Sequence, residues 1–117
     1  RAEWQGDDFA EGLMLDTQGY ITDCVFSNIF FVQQDVLITP CLNHCGVAGV
    51  MRRAIMSKAQ ELGVACQESK VKLEQLADMD EVFTSNSLYG IWPVRSYQQL
   101  SWPLGRLTRT LQFELMN

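Results

Sequence analysis

The chain has 117 residues, 47% of them hydrophobic and 10% aromatic, which suits a single globular domain with a buried core. The net charge of −5 argues against a nucleic-acid surface, which needs a basic face. No apolar run approaches the roughly 20 residues of a membrane helix, so we expect neither nucleic acid nor a membrane as a partner. The opening residues, RAEWQGDDFAEG, have no apolar signal segment, and we expect a cytoplasmic protein with reduced cysteines.

The first third of the chain predicts a meander of short strands. Apolar and β-branched residues fill four runs, and turn residues separate them in TQG and QQD. The predicted strands are GLMLD (12–16), YITDC (20–24), NIFFV (28–32) and VLITP (36–40).

The middle of the chain predicts a helix followed by a strand. In residues 50–62, apolar side chains recur at three and four residues, and Gly63 is a stop signal. The adjacent pair Arg52 and Arg53 is interpreted as a solvated helix face. Residues 64–71 then predict one strand, and residues 72–79 a short helical turn.

The last third predicts a buried strand in EVFTS (81–85), a turn in NSLYG, and an edge segment in IWPV, where proline cannot donate to a ladder. Residues 103–116 predict an amphipathic helix whose leucines lie on one side. The predicted fold class is α+β: an antiparallel-rich sheet or meander with helices packed against it.

Three stretches could carry chemistry. Asp23 is a carboxylate among apolar residues, where it needs a positive partner or a proton. GVAGVMR (46–52) leads a glycine-bearing loop into a helix start, which suits an anion. TSNSLYG (84–90) offers hydroxyl and amide groups at a strand end. Each also has an ordinary structural interpretation, as a paired carboxylate, a loop-to-helix turn or turn chemistry.

A metal site is not expected. Cys41, His44 and Cys45 form the one metal-like cluster, CLNHC, and it lacks a further Cys/His pair to complete a tetrahedral zinc site. The order of the three stretches suits a ligand with a cationic ring at one end and a phosphate at the other, as in pyridoxal phosphate (PLP).

The sequence resembles the C-terminal domain of the fold-type IV PLP enzymes, the class IV aminotransferases with the D-amino-acid aminotransferase-like fold. The resemblance rests on YITDCVFSNIFF, on ITP followed by GVAGVMR, and on ADMDEVFTSNSLYGIWPV, which stand in the family's order. GVAGVMR and TSNSLYGIWPV look most like the aminodeoxychorismate lyases, which implies conversion of 4-amino-4-deoxychorismate to 4-aminobenzoate and pyruvate for folate synthesis.

The resemblance also implies roles for individual residues. Asp23 stands where the family has a glutamate that holds the pyridine nitrogen. Val50 and Met51 match residues whose backbone N–H groups bind the phosphate. Asn86 and Ser87 lie in a second turn on the phosphate side. The implied assembly is a homodimer of two-domain subunits, with the cofactor and a small-molecule substrate between the domains.

Two departures from the family pattern stand out. The lysine that binds the cofactor covalently is missing, and the family's glutamate is the shorter Asp23. We therefore expect residues 1–117 to be a C-terminal PLP-binding domain without its N-terminal domain, inactive alone. Two alternatives stay open: a branched-chain or D-amino-acid aminotransferase of the same fold, and a non-catalytic α+β binding domain.

Overall fold

The structure is a computed structural model that describes residues 13–15, 20–24, 28–40, 50–86, 90–97 and 99–116, with the backbone alone at 13–15, 22–24, 50, 86 and 116. Its strands are β1 (Leu13–Leu15), β2 (Tyr20–Cys24), β3 (Asn28–Gln33), β4 (Val36–Thr39), β5 (Ala65–Glu68), β6 (Val71–Lys72), β7 (Glu81–Asn86), β8 (Gly90–Pro93), β9 (Ser96–Tyr97) and β10 (Leu100–Ser101). Its helices are α1 (Val50–Glu61), a 3-10 helix (Leu73–Asp78) and α2 (Arg106–Met116).

A five-stranded sheet forms the centre, in the order β5-β4-β3-β7-β8. The pairs β3–β4, β3–β7 and β7–β8 are antiparallel, and β4–β5 is parallel because α1 crosses over between them. A second sheet has the order β1-β2-β6, and β9 pairs with β10. The predicted α+β class and its antiparallel-rich sheet are confirmed, and IWPV is an edge strand as expected.

Strand β3 is apolar along its length because the sheet is covered on both faces. Phe30 and Val32 face α1 and α2, together with Phe83 of β7, whose ring stacks on Phe30 with centroids 4.9 Å apart. Ile29 and Phe31 face the opposite way, into a core shared with β2, β6 and the 3-10 helix. A strand buried on both sides reads as a continuous apolar run rather than an alternating one.

Local signals set the ends of several elements. The β3–β4 hairpin turns at Gln34 and Asp35, whose φ angles of 53° and 66° match a two-residue type I′ turn. Helix α1 ends at Glu61, and Gly63, two residues further on, has a φ of 80°. There the Gly63 N–H donates to Gln60 O and the Val64 N–H donates to Ala59 O, the pair of bonds that closes a helix in a Schellman motif.

One prediction about the elements is wrong. Residues 64–71 are not one strand: β5 joins the central sheet beside β4, whereas β6 joins the small sheet beside β2. The chain changes sheets at Ser69, whose N–H donates to Thr39 O. The short pair β9–β10 was not predicted at all.

Helix α2 is fixed to the start of β7 by a buried carboxylate. Oε1 of Glu81 accepts from the Thr108 N–H at 2.8 Å and from Thr108 Oγ1 at 2.7 Å, and Oε2 accepts from the Leu107 N–H at 3.3 Å. These N–H groups lie in the first turn of α2, where no helical carbonyl is available to them. A side chain at Gly105 would overlap the Glu81 carboxylate.

Candidate functional site

Several strand ends meet at one end of the central sheet. Asn28 begins β3 and pairs with Ser85 near the end of β7, and Asn86 pairs with Gly90 at the start of β8. Strand β4 runs antiparallel to β3 and ends at the same place, where Thr39 Oγ1 donates to Ile29 O at 2.9 Å. We call this the polar end of the sheet; it comprises Asn28, Thr39, Ser85 and Asn86.

The N-terminus of α1 is held at the polar end by Arg52. Nη2 of Arg52 donates to Pro40 O at 3.2 Å and to Glu68 Oε2 at 3.2 Å. Pro40 directly follows β4, and Glu68 ends β5 at the position that pairs with Thr39. The first turn of α1 therefore lies beside the ends of two strands of the sheet.

This placement gives the polar end an anion-binding character. The first N–H groups of a helix have no intrahelical acceptor, and the helix dipole makes that terminus positive. The first turn of α1 contains no acidic residue that would offset this charge. A phosphate or carboxylate group is the ligand that such a terminus favours.

Ser85 adds an unmatched hydroxyl at the same end. Its side chain is fully buried, and Oγ has no hydrogen-bond partner among the described residues. Ser85 lies on the helix-facing side of the sheet, because Phe83 and Ile91 on that side are its strand and register neighbours. A buried hydroxyl without a partner is uncommon and calls for a ligand, a water or strain.

The other predicted site residues lie on elements that lead to the polar end. Asp23 is in β2, five residues before Asn28. Val50 and Met51 are the first two residues of α1, and Asn86 is the last residue of β7. Ser87 lies outside the described residues. The roles assigned to these residues therefore stay predictions.

Sequence reasoning missed Arg52 and Ser85. The interpretation of Arg52 and Arg53 as a solvated face is wrong for Arg52, which is 8% exposed, and holds for Arg53, which is exposed. The acceptors of Arg52 lie 12 and 16 residues away in the chain, so no local pattern shows them. Ser85 stood within the TSNSLYG stretch but could not be separated from its neighbours without the strand register.

The described contacts of the three lysines are with residues outside the polar end. Lys58 contacts Glu61 at 2.9 Å and Glu114 at 3.9 Å, and the hydrogen bond to Glu61 raises the pKa of Lys58. Lys70 and Lys72 each place Nζ 5.2 Å from the centre of the Tyr20 ring. A raised pKa favours the ammonium form, which is not a nucleophile.

The described residues contain no candidate metal site. No group of three His, Cys, Asp or Glu side chains among these residues could hold a metal ion. Cys41, His44 and Cys45 lie outside the described residues. Cys66 is a free, half-buried thiol, and burial raises its pKa. Among the helices described, none has the length and apolar character of a membrane span.

Comparison with known proteins places this chain in one family. The model of the family described as "Amino-transferase class IV" matches residues 1–97. Aminodeoxychorismate lyase of Vibrio harveyi is 37% identical over 98% of the chain and 44% of that protein. Branched-chain-amino-acid aminotransferase of Escherichia coli K12 is 38% identical over 84% of the chain and 32% of that protein.

Two solved structures have the same fold as this chain. The crystal structure of 4-amino-4-deoxychorismate lyase from Pseudomonas aeruginosa superposes with a TM-score of 0.87 and 47% identity, over 91% of the chain and 39% of that structure. An aminotransferase from Brucella abortus bound to PLP has a TM-score of 0.82 and 25% identity, over 89% of the chain and 38% of that structure.

The chain belongs to the class IV aminotransferase family. It spans less than half the length of each of these relatives. Homologues in this family bind PLP, and the described residues fit its phosphate: a helix N-terminus and a buried, unmatched Ser85 hydroxyl lie at one end of the sheet.

Proposed function

We propose that the chain is the C-terminal, PLP-binding part of a 4-amino-4-deoxychorismate lyase, which forms 4-aminobenzoate and pyruvate for folate synthesis. The observation that carries the proposal is the polar end of the sheet, where the start of α1 lies beside the end of β4 and Ser85 of β7 has a buried, unmatched hydroxyl. The 47% identity to the Pseudomonas aeruginosa lyase supports the choice of a lyase within the family.

The phosphate is bound at the polar end. Backbone N–H groups of Val50 and Met51 donate to it from the positive end of α1. Asn86 would contribute from the end of β7 and Ser87 from the position that follows it, and Ser85 would add its buried hydroxyl. Together these groups would hold the phosphate of the cofactor at this end of the sheet.

Asp23 acts at the other end of the cofactor. Its carboxylate accepts a hydrogen bond from the protonated pyridine nitrogen and keeps the ring cationic. When bound, PLP supplies an electron sink for negative charge that develops on the substrate. The pairing would also offset the desolvation of a carboxylate that stands in an apolar stretch of the sequence.

The covalent lysine comes from outside this sequence. Lys58 is engaged by two glutamates, and Lys70 and Lys72 lie at the Tyr20 ring. The complete enzyme therefore needs an N-terminal domain, and we propose a homodimer with the substrate between domains. The 117-residue chain mixed with PLP then forms no stoichiometric borohydride-stable link to any of its three lysines.

The lyase assignment is tested with the full-length protein and 4-amino-4-deoxychorismate. Equal amounts of 4-aminobenzoate and pyruvate are expected. Asp23→Asn lowers turnover by about 10²-fold, the scale for losing one well-placed electrostatic group, while PLP stays bound. Asp23→Glu retains most of the turnover because it keeps the charge. Near-normal turnover in Asp23→Asn would show that this carboxylate is structural.

The second candidate is an aminotransferase, which the 38% identity to the Escherichia coli branched-chain enzyme favours. The control reaction contains a branched-chain amino acid and 2-oxoglutarate. Glutamate production without 4-aminobenzoate would replace the lyase by this candidate. No binding of PLP to the full-length protein would leave a non-catalytic binding domain.

A further inference from the structure

One guanidinium nitrogen ties the first turn of α1 to the ends of two strands. Nη2 of Arg52 reaches Pro40 O and Glu68 Oε2, each at 3.2 Å. Pro40 directly follows β4, Arg52 is the third residue of α1, and Glu68 is the last residue of β5. We call these three groups the base clasp: the Pro40 carbonyl, the Arg52 guanidinium and the Glu68 carboxylate.

The base clasp joins three elements of the described chain through one side chain. It ties the end of β4, the first turn of α1 and the end of β5 into one unit. Because the Arg52 side chain is 10% exposed and that of Glu68 is 43% exposed, the pair is shielded from water on the arginine side. Such pairs weaken less in salt than fully exposed ones.

The chemistry of arginine suits this position. A guanidinium is always charged and holds several acceptors in one plane, whereas a lysine ammonium is a point charge on a flexible stem. Nε of Arg52 is buried and has no acceptor among the described residues. The guanidinium therefore keeps a further donor beside the first turn of α1, beyond the two bonds of the base clasp.

We propose that Arg52 is a positioning residue for phosphate binding: the base clasp holds the start of α1 against the ends of β4 and β5, in the position from which its first N–H groups bind the phosphate of PLP. This inference rests on the proposed function. A helix start that is fixed in its binding position before the ligand arrives loses less conformational entropy on binding, so affinity for the phosphate group is higher.

The test compares two ligands in the full-length protein. PLP contains the phosphate and pyridoxal lacks it, so the ratio of their dissociation constants isolates the phosphate contribution. Arg52→Lys keeps the charge and loses the planar fork. We expect it to weaken PLP binding about tenfold, the factor for one hydrogen bond to a charged group, and to change pyridoxal binding less than twofold.

Two further variants accompany this measurement. Glu68→Gln, at a half-exposed carboxylate, should weaken PLP binding in the same direction by about threefold, since it keeps an acceptor oxygen and loses the charge. If Arg52→Lys does not fold, Glu68→Gln alone tests the proposal. Arg53→Lys is the matched control, an exposed arginine one residue away, and should leave both dissociation constants unchanged.

Each outcome decides something. A selective loss of PLP affinity in Arg52→Lys and Glu68→Gln supports the positioning role. Equal loss of PLP and pyridoxal affinity, with a lowered melting temperature, shows a general structural role and overturns it. Wild-type affinity for PLP in both variants overturns this inference alone. A wild-type protein that binds PLP no better than pyridoxal overturns the proposed function and this inference together.

Discussion

Two buried hydroxyls at the polar end provide a matched pair of substitutions. Thr39 Oγ1 donates to Ile29 O at 2.9 Å, whereas Ser85 Oγ has no partner among the described residues. Both residues are at most 2% exposed. Thr39→Val and Ser85→Ala remove these hydroxyls with little change in shape, so the two variants differ mainly in whether a hydrogen bond is lost.

The expected effects on stability have opposite signs. A buried polar group left without a partner costs about 1–3 kcal/mol, so Ser85→Ala removes a cost and should raise the free energy of unfolding by about 1 kcal/mol, after the small volume loss. Thr39→Val removes a made bond and should lower it by about 1–2 kcal/mol. The two variants should therefore differ by about 2–3 kcal/mol.

The assay is urea unfolding of the cofactor-free, full-length protein, followed by PLP titration of the same samples. If Ser85 serves the phosphate, Ser85→Ala should bind PLP several-fold more weakly although its fold is more stable. Thr39→Val should bind PLP as wild type does. Destabilisation of Ser85→Ala to the extent seen for Thr39→Val would refute the reasoning, because it would mean that the hydroxyl already has a partner.

Three further outcomes are expected. Met51→Pro should weaken PLP binding by about tenfold or more, because proline is tolerated in a first helical turn but has no N–H. The control Met51→Leu should bind PLP normally. Wild-type affinity for PLP in Met51→Pro would place the phosphate elsewhere. Glu81→Gln should lower the free energy of unfolding by about 2 kcal/mol, since an amide NH2 then faces the donors of Leu107 and Thr108. The control Glu114→Gln, at a 3.9 Å contact with Lys58, should lower it by under about 0.5 kcal/mol. Equal losses in the two variants would contradict the role of Glu81 as the acceptor for the first turn of α2. Burial raises the pKa of the Cys66 thiol. Alkylation of Cys66 at pH 8, measured by peptide mass spectrometry, should therefore be slow in the folded protein and faster in urea. An alkylation rate that urea does not change would argue against a raised pKa in the folded protein.

The elements that the sequence predicts well carry their signals locally. Strand β3 combines an apolar run with a turn at Gln34 and Asp35, and α1 combines a helical stripe with Gly63. Each of these signals lies within a few residues of the element it defines, and the bonds that complete it are short-range. The family motifs place two of the candidate site residues, Val50 and Met51, at the start of α1.

The elements that the sequence does not predict depend on distant partners. Strand β6 exists because Val71 and Lys72 pair with Ile21 and Tyr20 of β2, and nothing in residues 64–71 marks the change of sheet. The sequence pattern around Arg52 is that of a surface residue, because its acceptors on Pro40 and Glu68 are 12 and 16 residues away in the chain. The state of the Ser85 hydroxyl follows from the sheet register, which the order of residues leaves open.

The pairing of β3 with β7 also decides when the site can form during folding. Asn28 and Ser85 lie in direct register, yet most of the described chain, including α1, β5 and β6, comes between them. Pairing across such a separation requires closure of a long loop, and contacts of this kind slow folding. The polar end therefore cannot assemble from a local hairpin, and phosphate binding should appear only once the two central strands have joined.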